Sequence, residues 1–183
     1  MNPILIPLLV ILILFLLFLV AVPFLIFPGR RRRGVEEFSR VLFAHRGLHD
    51  ERHAENSLSA FALAAERGYG IELDVRLSAD GELVVFHDDT TDRVCGTPGL
   101  VKDRTVTELA ALSLSGTEEG IPTFRAVLDL VDGRVPLLVE IKEDAGDSRV
   151  SEATARMLSS YHGPFVIESF NPLSLARIRR LMP

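Results

Sequence analysis

The chain has 183 residues, which is enough for one ordinary domain with an appendage and too few for two large domains. Its formal net charge is −5, and the excess of Asp and Glu lies beyond residue 40. An acidic domain of this kind excludes nucleic acid as the main partner, because binding a phosphate backbone requires clustered Lys and Arg. Cys95 is the only cysteine, so no disulfide can form within the chain.

The first 28 residues are predicted to form a membrane anchor. No charged residue occurs between residues 4 and 27, and a helix of that length can cross the hydrocarbon core of a bilayer. A buried core helix would carry a polar stripe, which this segment lacks, and a cleaved signal peptide would begin with Lys or Arg. The sequence therefore predicts a single-pass transmembrane helix at residues 1–28.

The segment at residues 29–40 is predicted to be a basic juxtamembrane linker. It begins with four consecutive arginines at residues 30–33, and the positive-inside rule places such a cluster in the cytoplasm. We therefore expect a single-pass membrane protein whose N-terminus lies outside and whose following domain lies in the cytoplasm.

Beyond the linker, residues 41–183 are predicted to form one domain of alternating strands and helices. The predicted strands are 41–44, 71–77, 83–86, 137–141 and 165–167, and the predicted helices are 57–67, 107–114, 124–131, 148–161 and 173–181. Strands that are nearly continuous in apolar residues and are separated by helices predict a parallel sheet covered on both faces. Both a closed (β/α) barrel and an open doubly wound sheet fit this pattern.

One connection between predicted strands is too short for a crossover helix. Five residues separate Leu77 from Leu83, and Asp80-Gly81 within them is typical of a two-residue hairpin turn. A turn centred on these two residues would place Asp74 opposite His87. The predicted hairpin would thereby bring a carboxylate and a histidine together.

Polar side chains follow the predicted strands, where ligand sites of α/β proteins lie. Three groups are expected to converge there: the carboxylates Glu72, Asp74 and Glu140, the histidines His45 and His87, and the cations Arg46 and Lys142. Three carboxylates suit Mg²⁺ or Ca²⁺, two histidines can supply an acid and a base, and the two cations can hold an anionic group. This combination predicts cleavage of a phosphate ester.

Six motifs in order resemble the glycerophosphodiester phosphodiesterase family. They are AHRG at 44–47, EN at 55–56, GIELDVRLSADGELVVFHD at 70–88, IPTF at 121–124, VEIK at 139–142 and SFNP at 169–172. The resemblance runs from about residue 41 to the end of the chain. Ala54 stands where family members usually have Pro, which bears on the local turn and leaves the chemistry unchanged.

The resemblance implies a (β/α)₈ TIM barrel, together with a role for each site residue. His45 and His87 would form the acid–base pair, and Arg46 and Lys142 would contact the phosphate. Glu72, Asp74 and Glu140 would bind the divalent ion, and Glu55 would also approach the metal. The domain is shorter than the about 250 residues typical of this barrel, so a barrel truncated to about five strands is expected.

The resemblance further implies hydrolysis of a glycerophosphodiester to an alcohol and sn-glycerol 3-phosphate. Either a neighbouring glycerol hydroxyl or a water molecule could attack the phosphorus. Two alternatives stay open at this point: a lysophospholipase D-like enzyme that acts on lysophospholipids, and a non-catalytic, membrane-bound barrel fragment.

Overall fold

The computed structural model describes residues 5–26, 38–144 and 146–182. The chain divides into two compact units, Met1–Arg40 and Val41–Pro183. In the first unit, helix α1 spans Leu5–Ile26. The described side chains of α1 are those of residues 6–21, and all of them are exposed.

The predicted transmembrane helix is not supported by the structure. Among the described residues, no helix has the length and hydropathy that crossing a membrane requires. The four arginines at residues 30–33 and most of the predicted linker lie outside the described residues.

In the second unit, the described residues form five strands, six helices and one 3₁₀ turn. The strands are β1 (Phe43–Ala44), β2 (Gly70–Leu77), β3 (Leu83–Val85), β4 (Leu137–Ile141) and β5 (Phe165–Glu168). The helices are α2 (Leu58–Glu66), α3 (Asp92–Cys95), α4 (Val106–Ala110), α5 (Phe124–Val131), α6 (Arg149–Leu158) and α7 (Pro172–Leu181), and the 3₁₀ turn is Val101–Asp103. Each predicted strand and helix of this unit is present with small shifts at its ends, whereas α3 and the 3₁₀ turn were not predicted.

The sheet is parallel apart from one hairpin. Its strand order is β1-β2-β4-β5, with parallel pairing throughout, and β3 pairs antiparallel with β2. Val75 of β2 pairs with β3 on one side and with β4 on the other. Strands β1 and β3 therefore share one edge of β2, with β1 at its start and β3 at its end, and β4 occupies the opposite edge. The predicted parallel sheet and the predicted hairpin are both confirmed.

Strand β2 is buried on both of its faces. Ile71, Leu73 and Val75 lie fully buried in the apolar core, where β2 and β4 pack against the helices. Because side chains alternate along a strand, Glu72 and Asp74 share the opposite face, and both are buried as well. The sheet therefore carries its carboxylates on an interior face.

The predicted register of the hairpin is wrong by one residue. Asp74 lies opposite Phe86, whose backbone N–H donates to the Asp74 carbonyl at 3.0 Å, and not opposite His87. The cause is Gly81, which has a φ of +82° and adds a third residue to the loop between Ser78 and Glu82. Such loops, a turn followed by a left-handed residue, shift the pairing by one position relative to two-residue turns.

Short polar side chains cap the helices of this unit. The Ser57 hydroxyl accepts from the Ala60 N–H at 3.1 Å, and the Thr123 hydroxyl accepts from the Ala126 N–H at 3.1 Å. These bonds satisfy backbone donors that have no partner inside the helix. The caps determine where α2 and α5 begin, and both helices pack in the core that supports the strands.

Candidate active site

Three buried carboxylates form a compact group on β2 and β4. Glu72 and Asp74 are two positions apart on β2, and Glu140 on β4 pairs with Asp74 across the sheet. Each of the three offers one oxygen, and these oxygens lie within 4.8 Å of one another. The exposed fractions are 6% for Glu72, 0% for Asp74 and 6% for Glu140, so the group is shielded from water.

The carboxylate group has unsatisfied acceptors that suit a hard cation. Asp74 Oδ1 and Glu140 Oε1 are buried without a hydrogen-bond partner. The Lys142 ammonium approaches them at 3.2 and 2.7 Å, as ion pairs outside hydrogen-bond geometry. Carboxylate oxygens are the ligands that Mg²⁺ and Ca²⁺ prefer, so the donor set fits either ion.

The raised pKa of Glu72 is also consistent with a cation site. Burial raises its pKa to about 7, and the neighbouring carboxylates of Asp74, Glu168 and Glu140 add to the effect. A hydrogen bond from the backbone N–H of Arg46, at 2.7 Å, opposes this shift. Lys142 and Arg46 compensate part of the negative charge of this buried group, and a divalent cation would compensate more of it.

Arg46 joins the carboxylate group to the loop after β1. Its guanidinium donates to Glu55 Oε1 through Nη1 at 3.0 Å, and its Nε lies 3.6 Å from Asp74 Oδ2. The backbone of Arg46 is left-handed, with a φ of +55°, which turns its N–H toward Glu72. This strained conformation is typical of residues held in place at ligand sites.

Gly47 is required by the close packing of this loop on α2. Its φ is +82°, and a Cβ added there would lie 2.9 Å from Ala60 Cβ and 3.0 Å from Phe61 Cδ1. Any larger residue would push the loop away from α2. Gly47 thus sets the position of Arg46 beside the carboxylates.

Lys142 lies at the carboxyl end of β4, beside a small cavity. Besides its two carboxylate neighbours, its ammonium lies 5.9 Å from the ring centroid of Phe170, whose side chain is largely exposed. The cavity has a volume of about 170 Å³, and Arg76, Glu140, Lys142 and Phe170 are among its lining residues. Asp89, Glu143 and Asp144 also line this cavity, so it contains both basic and acidic side chains.

The two predicted histidines have different environments. His45 follows β1 and is exposed, and its pKa is lowered by partial burial and by the adjacent charge of Arg46. His87 follows β3, and its Nδ1 lies 2.6 Å from Asp88 Oδ1. The carbonyl of His87 accepts two hydrogen bonds from the Arg76 guanidinium, at 2.9 and 2.7 Å, so its backbone is held as well.

Glu55 is engaged in ion pairs with two arginines. Among the described residues, the group that could hold a metal contains Glu72, Asp74 and Glu140 without Glu55. The oxygens of Glu55 instead accept hydrogen bonds from Arg46 and Arg93. Hydrogen bonds from Arg93 are the main cause that lowers the pKa of Glu55. The expectation that Glu55 also approaches the metal stays a prediction.

Four polar residues at this end of the sheet were not singled out from the sequence. Asn56 is buried and donates to Asp74 Oδ2 at 2.9 Å. Glu168 pairs with Glu140 across the sheet, and burial and the charge of Glu140 raise its pKa. Arg76 and Arg93 complete the set. The alternation along β2 could have identified Arg76, which follows Glu72 and Asp74 at the same spacing.

The fold is a TIM-barrel-like α/β fold that gathers polar groups at the carboxyl ends of its parallel strands. The sequence model of the glycerophosphoryl diester phosphodiesterase family matches residues 45–183, and the chain belongs to this family. The resemblance inferred from the six motifs is confirmed.

Comparisons with individual proteins agree with the family assignment. The chain is 36% identical over 157 residues to a glycerophosphodiester phosphodiesterase of Caldanaerobacter subterraneus, covering 78% of this chain and 63% of that protein. It is 35% identical over 154 residues to a glycerophosphodiester phosphodiesterase of Bacillus altitudinis, covering 78% and 62%. The chain thus spans somewhat less than two thirds of the length of these relatives.

A solved structure of similar fold comes from Oleispira antarctica. It is a phosphodiesterase in complex with its product sn-glycerol-3-phosphate, and it superposes with a TM-score of 0.74 at 29% identity. The match covers 81% of this chain and 64% of the other.

Proposed function

We propose that this protein is a metal-dependent phosphodiesterase that hydrolyses a glycerophosphodiester to an alcohol and sn-glycerol 3-phosphate. The observation that carries the proposal is the buried group of Glu72, Asp74 and Glu140, with unsatisfied oxygens, in a chain of this family. The related phosphodiesterase of Oleispira antarctica, solved with sn-glycerol-3-phosphate as product, supports the choice of substrate.

In this proposal, Glu72, Asp74 and Glu140 hold one divalent cation, either Mg²⁺ or Ca²⁺. When bound, such an ion neutralises charge that develops on phosphoryl oxygens. Arg46 and Lys142, which flank the carboxylates, bind the substrate phosphate. Arg46 offers a planar fork and Lys142 a compact point charge, so together they orient the phosphorus for attack.

His45 and His87 are proposed to transfer the protons of the reaction. The lowered pKa of His45 keeps its imidazole neutral near pH 7, which suits the base that deprotonates the attacking hydroxyl. His87 has its Nδ1 2.6 Å from Asp88 Oδ1, a contact that orients the ring, and we assign it as the acid that protonates the leaving alcohol. The attacking hydroxyl belongs either to water, which gives sn-glycerol 3-phosphate directly, or to the glycerol of the substrate, which expels the alcohol and gives a cyclic phosphate. In the second case water then opens the cyclic phosphate to sn-glycerol 3-phosphate.

The proposal is tested by assaying the purified chain on glycerophosphocholine and on lysophosphatidylcholine, with Mg²⁺, Ca²⁺ or EDTA. We expect choline and sn-glycerol 3-phosphate from glycerophosphocholine, with ³¹P NMR identifying the phosphate product. Cleavage of lysophosphatidylcholine alone would instead establish the lysophospholipase D-like alternative. Glu72→Gln should abolish turnover, whereas Glu82→Gln, an exposed glutamate in the hairpin, should leave it unchanged.

Activity that persists in EDTA would refute metal dependence. No hydrolysis of either substrate with any of the ions would refute the enzymatic proposal and favour a non-catalytic protein. The predicted cytoplasmic location of the domain rests on the sequence alone and stays a prediction. Fractionation of cells and protease protection of the domain would test it.

A further inference from the structure

Arg93, a residue that the proposed function does not use, bridges two carboxylates beside the site. Its Nε donates to Asp88 Oδ2 at 2.6 Å. Its Nη1 and Nη2 donate to Glu55 Oε2 and Oε1 at 2.9 and 2.6 Å. The side chain of Arg93 is 51% exposed, yet three of its donors point at carboxylate oxygens.

Each of the two carboxylates also holds one residue of the proposed site. Glu55 Oε1 accepts from Arg46 Nη1 at 3.0 Å, and Asp88 Oδ1 lies 2.6 Å from His87 Nδ1. A continuous series of polar contacts therefore runs from Arg46 through Glu55, Arg93 and Asp88 to His87. Its two ends are the residues proposed to bind the phosphate and to protonate the leaving alcohol.

The pKa shifts of Asp88 and Arg93 both favour the ionised forms that this ion pair requires. Burial alone would raise the pKa of Asp88, but hydrogen bonds from Arg93 and His87 lower it to about 2. Hydrogen bonds to Glu55 and Asp88 raise the pKa of Arg93 above its ordinary value. All three groups are therefore charged over the whole range in which the enzyme would work.

The backbone that carries Arg93 is also fixed. Arg93 lies in the short helix α3, where Val94 is buried in a second apolar cluster. Thr91, which precedes α3 and is fully buried, donates its hydroxyl to the Thr97 carbonyl at 2.5 Å. The guanidinium thus extends from a supported turn, as a group that positions others must.

We infer that Arg93 is a positioning residue that sets the spacing and orientation of Arg46 and His87 by holding Glu55 and Asp88 simultaneously. The inference rests on the proposed function, because it assigns the two ends of the series their roles in catalysis. Arginine is needed because its planar fork addresses two carboxylates with three donors in fixed directions. Lysine keeps the charge but cannot reproduce these directions.

The kinetic test compares Arg93→Met and Arg93→Lys with Arg156→Met, which removes an exposed arginine from α6. Misplacing a catalytic group by about 1 Å can cost roughly 100-fold, so we expect both Arg93 variants to lose roughly 10- to 100-fold in kcat/KM. Asp88→Asn should lower kcat, because it frees His87, and Glu55→Gln should raise KM, because it frees Arg46.

A further step separates positioning from general stability. If Arg93 acts through both carboxylates, adding Arg93→Met to a Glu55→Gln/Asp88→Asn double variant should change kcat/KM by less than about threefold. A purely structural arginine would instead contribute its full effect in the double variant. Thermal unfolding of each variant identifies any that fails to fold, and the Asp88→Asn and Glu55→Gln variants then carry the test.

An NMR readout does not depend on turnover. With ¹⁵N-labelled histidine in the full chain in detergent, the ring signals of His87, assigned with His87→Gln, report its tautomer. At a pH where the ring is neutral, we expect Nδ1–H in the wild type and a mixture of tautomers in Arg93→Met and Asp88→Asn. Arg156→Met should match the wild type.

The two proposals fail in different ways. If the wild type hydrolyses neither substrate, the proposed function fails, while the His87 signals still decide whether Arg93 fixes the ring. If the wild type is active and Arg93→Met equals Arg156→Met in kcat, KM and His87 tautomer, the inference on Arg93 is overturned.

Discussion

Asp74 and Glu140 lie directly opposite each other in the parallel pairing of β2 and β4, on the buried interior face of the sheet. Two carboxylates in such a place repel each other and are costly to bury unless a cation compensates them. Lys142 supplies one positive charge at 3.2 and 2.7 Å, and Glu72 adds a third carboxylate to the same group. Arg46 Nε, 3.6 Å from Asp74 Oδ2, is the second cation beside this group, and a divalent cation would lower the remaining repulsion among the three carboxylates.

We first predict that Asp74→Asn and Glu140→Gln each weaken binding of Mg²⁺ or Ca²⁺ by at least about tenfold. Each change removes an anionic oxygen ligand from a site that has three. Isothermal titration calorimetry of the purified chain measures this without any substrate. Glu82→Gln, which lies in the exposed hairpin loop, serves as the control. Equal affinities in the wild type and in these three variants would show that the carboxylate group does not bind the ion.

We next predict that His45→Ala and His87→Ala each reduce turnover by about 10²- to 10⁴-fold and leave metal affinity unchanged. General acids and bases contribute rate enhancements of this order, and neither imidazole belongs to the carboxylate group. His162→Ala, which changes an exposed histidine, is the control. A rate near that of the wild type in either site variant would mean that the acid–base pair is assigned wrongly.

Stability should depend on pH through Glu72 when divalent ions are absent. Burial raises its pKa from 4.5 to about 7, so its protonated form is favoured in the folded state. Its contribution to the free energy of unfolding is complete below pH 4.5 and is lost as the pH rises through about 7. In EDTA, urea denaturation should show this decline in the wild type and a flatter profile in Glu72→Gln.

Added Ca²⁺ or Mg²⁺ should offset the decline, because the ion binds the ionised carboxylates of the folded protein. Glu82→Gln should keep the wild-type profile in both conditions. Parallel profiles for the wild type and Glu72→Gln in EDTA would show that Glu72 does not titrate in this range.

Glu143 is predicted to stabilise the fold without a part in catalysis. Its fully buried carboxylate accepts from the Ser151 hydroxyl at 3.0 Å, the Ser174 hydroxyl at 2.5 Å and Arg177 Nη1 at 3.1 Å. It thereby joins α6 and α7 to the end of β4. Glu143→Ala should lower the free energy of unfolding by about 3 kcal/mol, since it leaves a charged partner unpaired.

The measurement is urea denaturation, with Glu118→Ala at an exposed loop position as the control. Metal affinity of the folded Glu143→Ala protein should remain that of the wild type. A variant that is as stable as the control would show that these contacts contribute little.

Local periodicity was enough to predict most of the elements and the carboxylate group. Glu72 and Asp74 share one face because side chains alternate along a strand, and Glu140 joins them because parallel strands end at the same edge of the sheet. Thr123 and Ser57 mark helix starts because a cap needs only residues close in sequence. These relationships depend on short-range geometry, so the sequence by itself determines them.

The hairpin register and the ion pairs were decided by the tertiary structure. The left-handed Gly81 adds one residue to the turn, and this moves the partner of Asp74 from His87 to Phe86. Glu55 pairs with Arg93, although the two are 38 positions apart in sequence. Periodicity indicates which face of an element a charged side chain occupies, but it does not indicate the partner. The side chain pairs with whichever opposite charge the folded chain brings near, so only the three-dimensional arrangement specifies that partner.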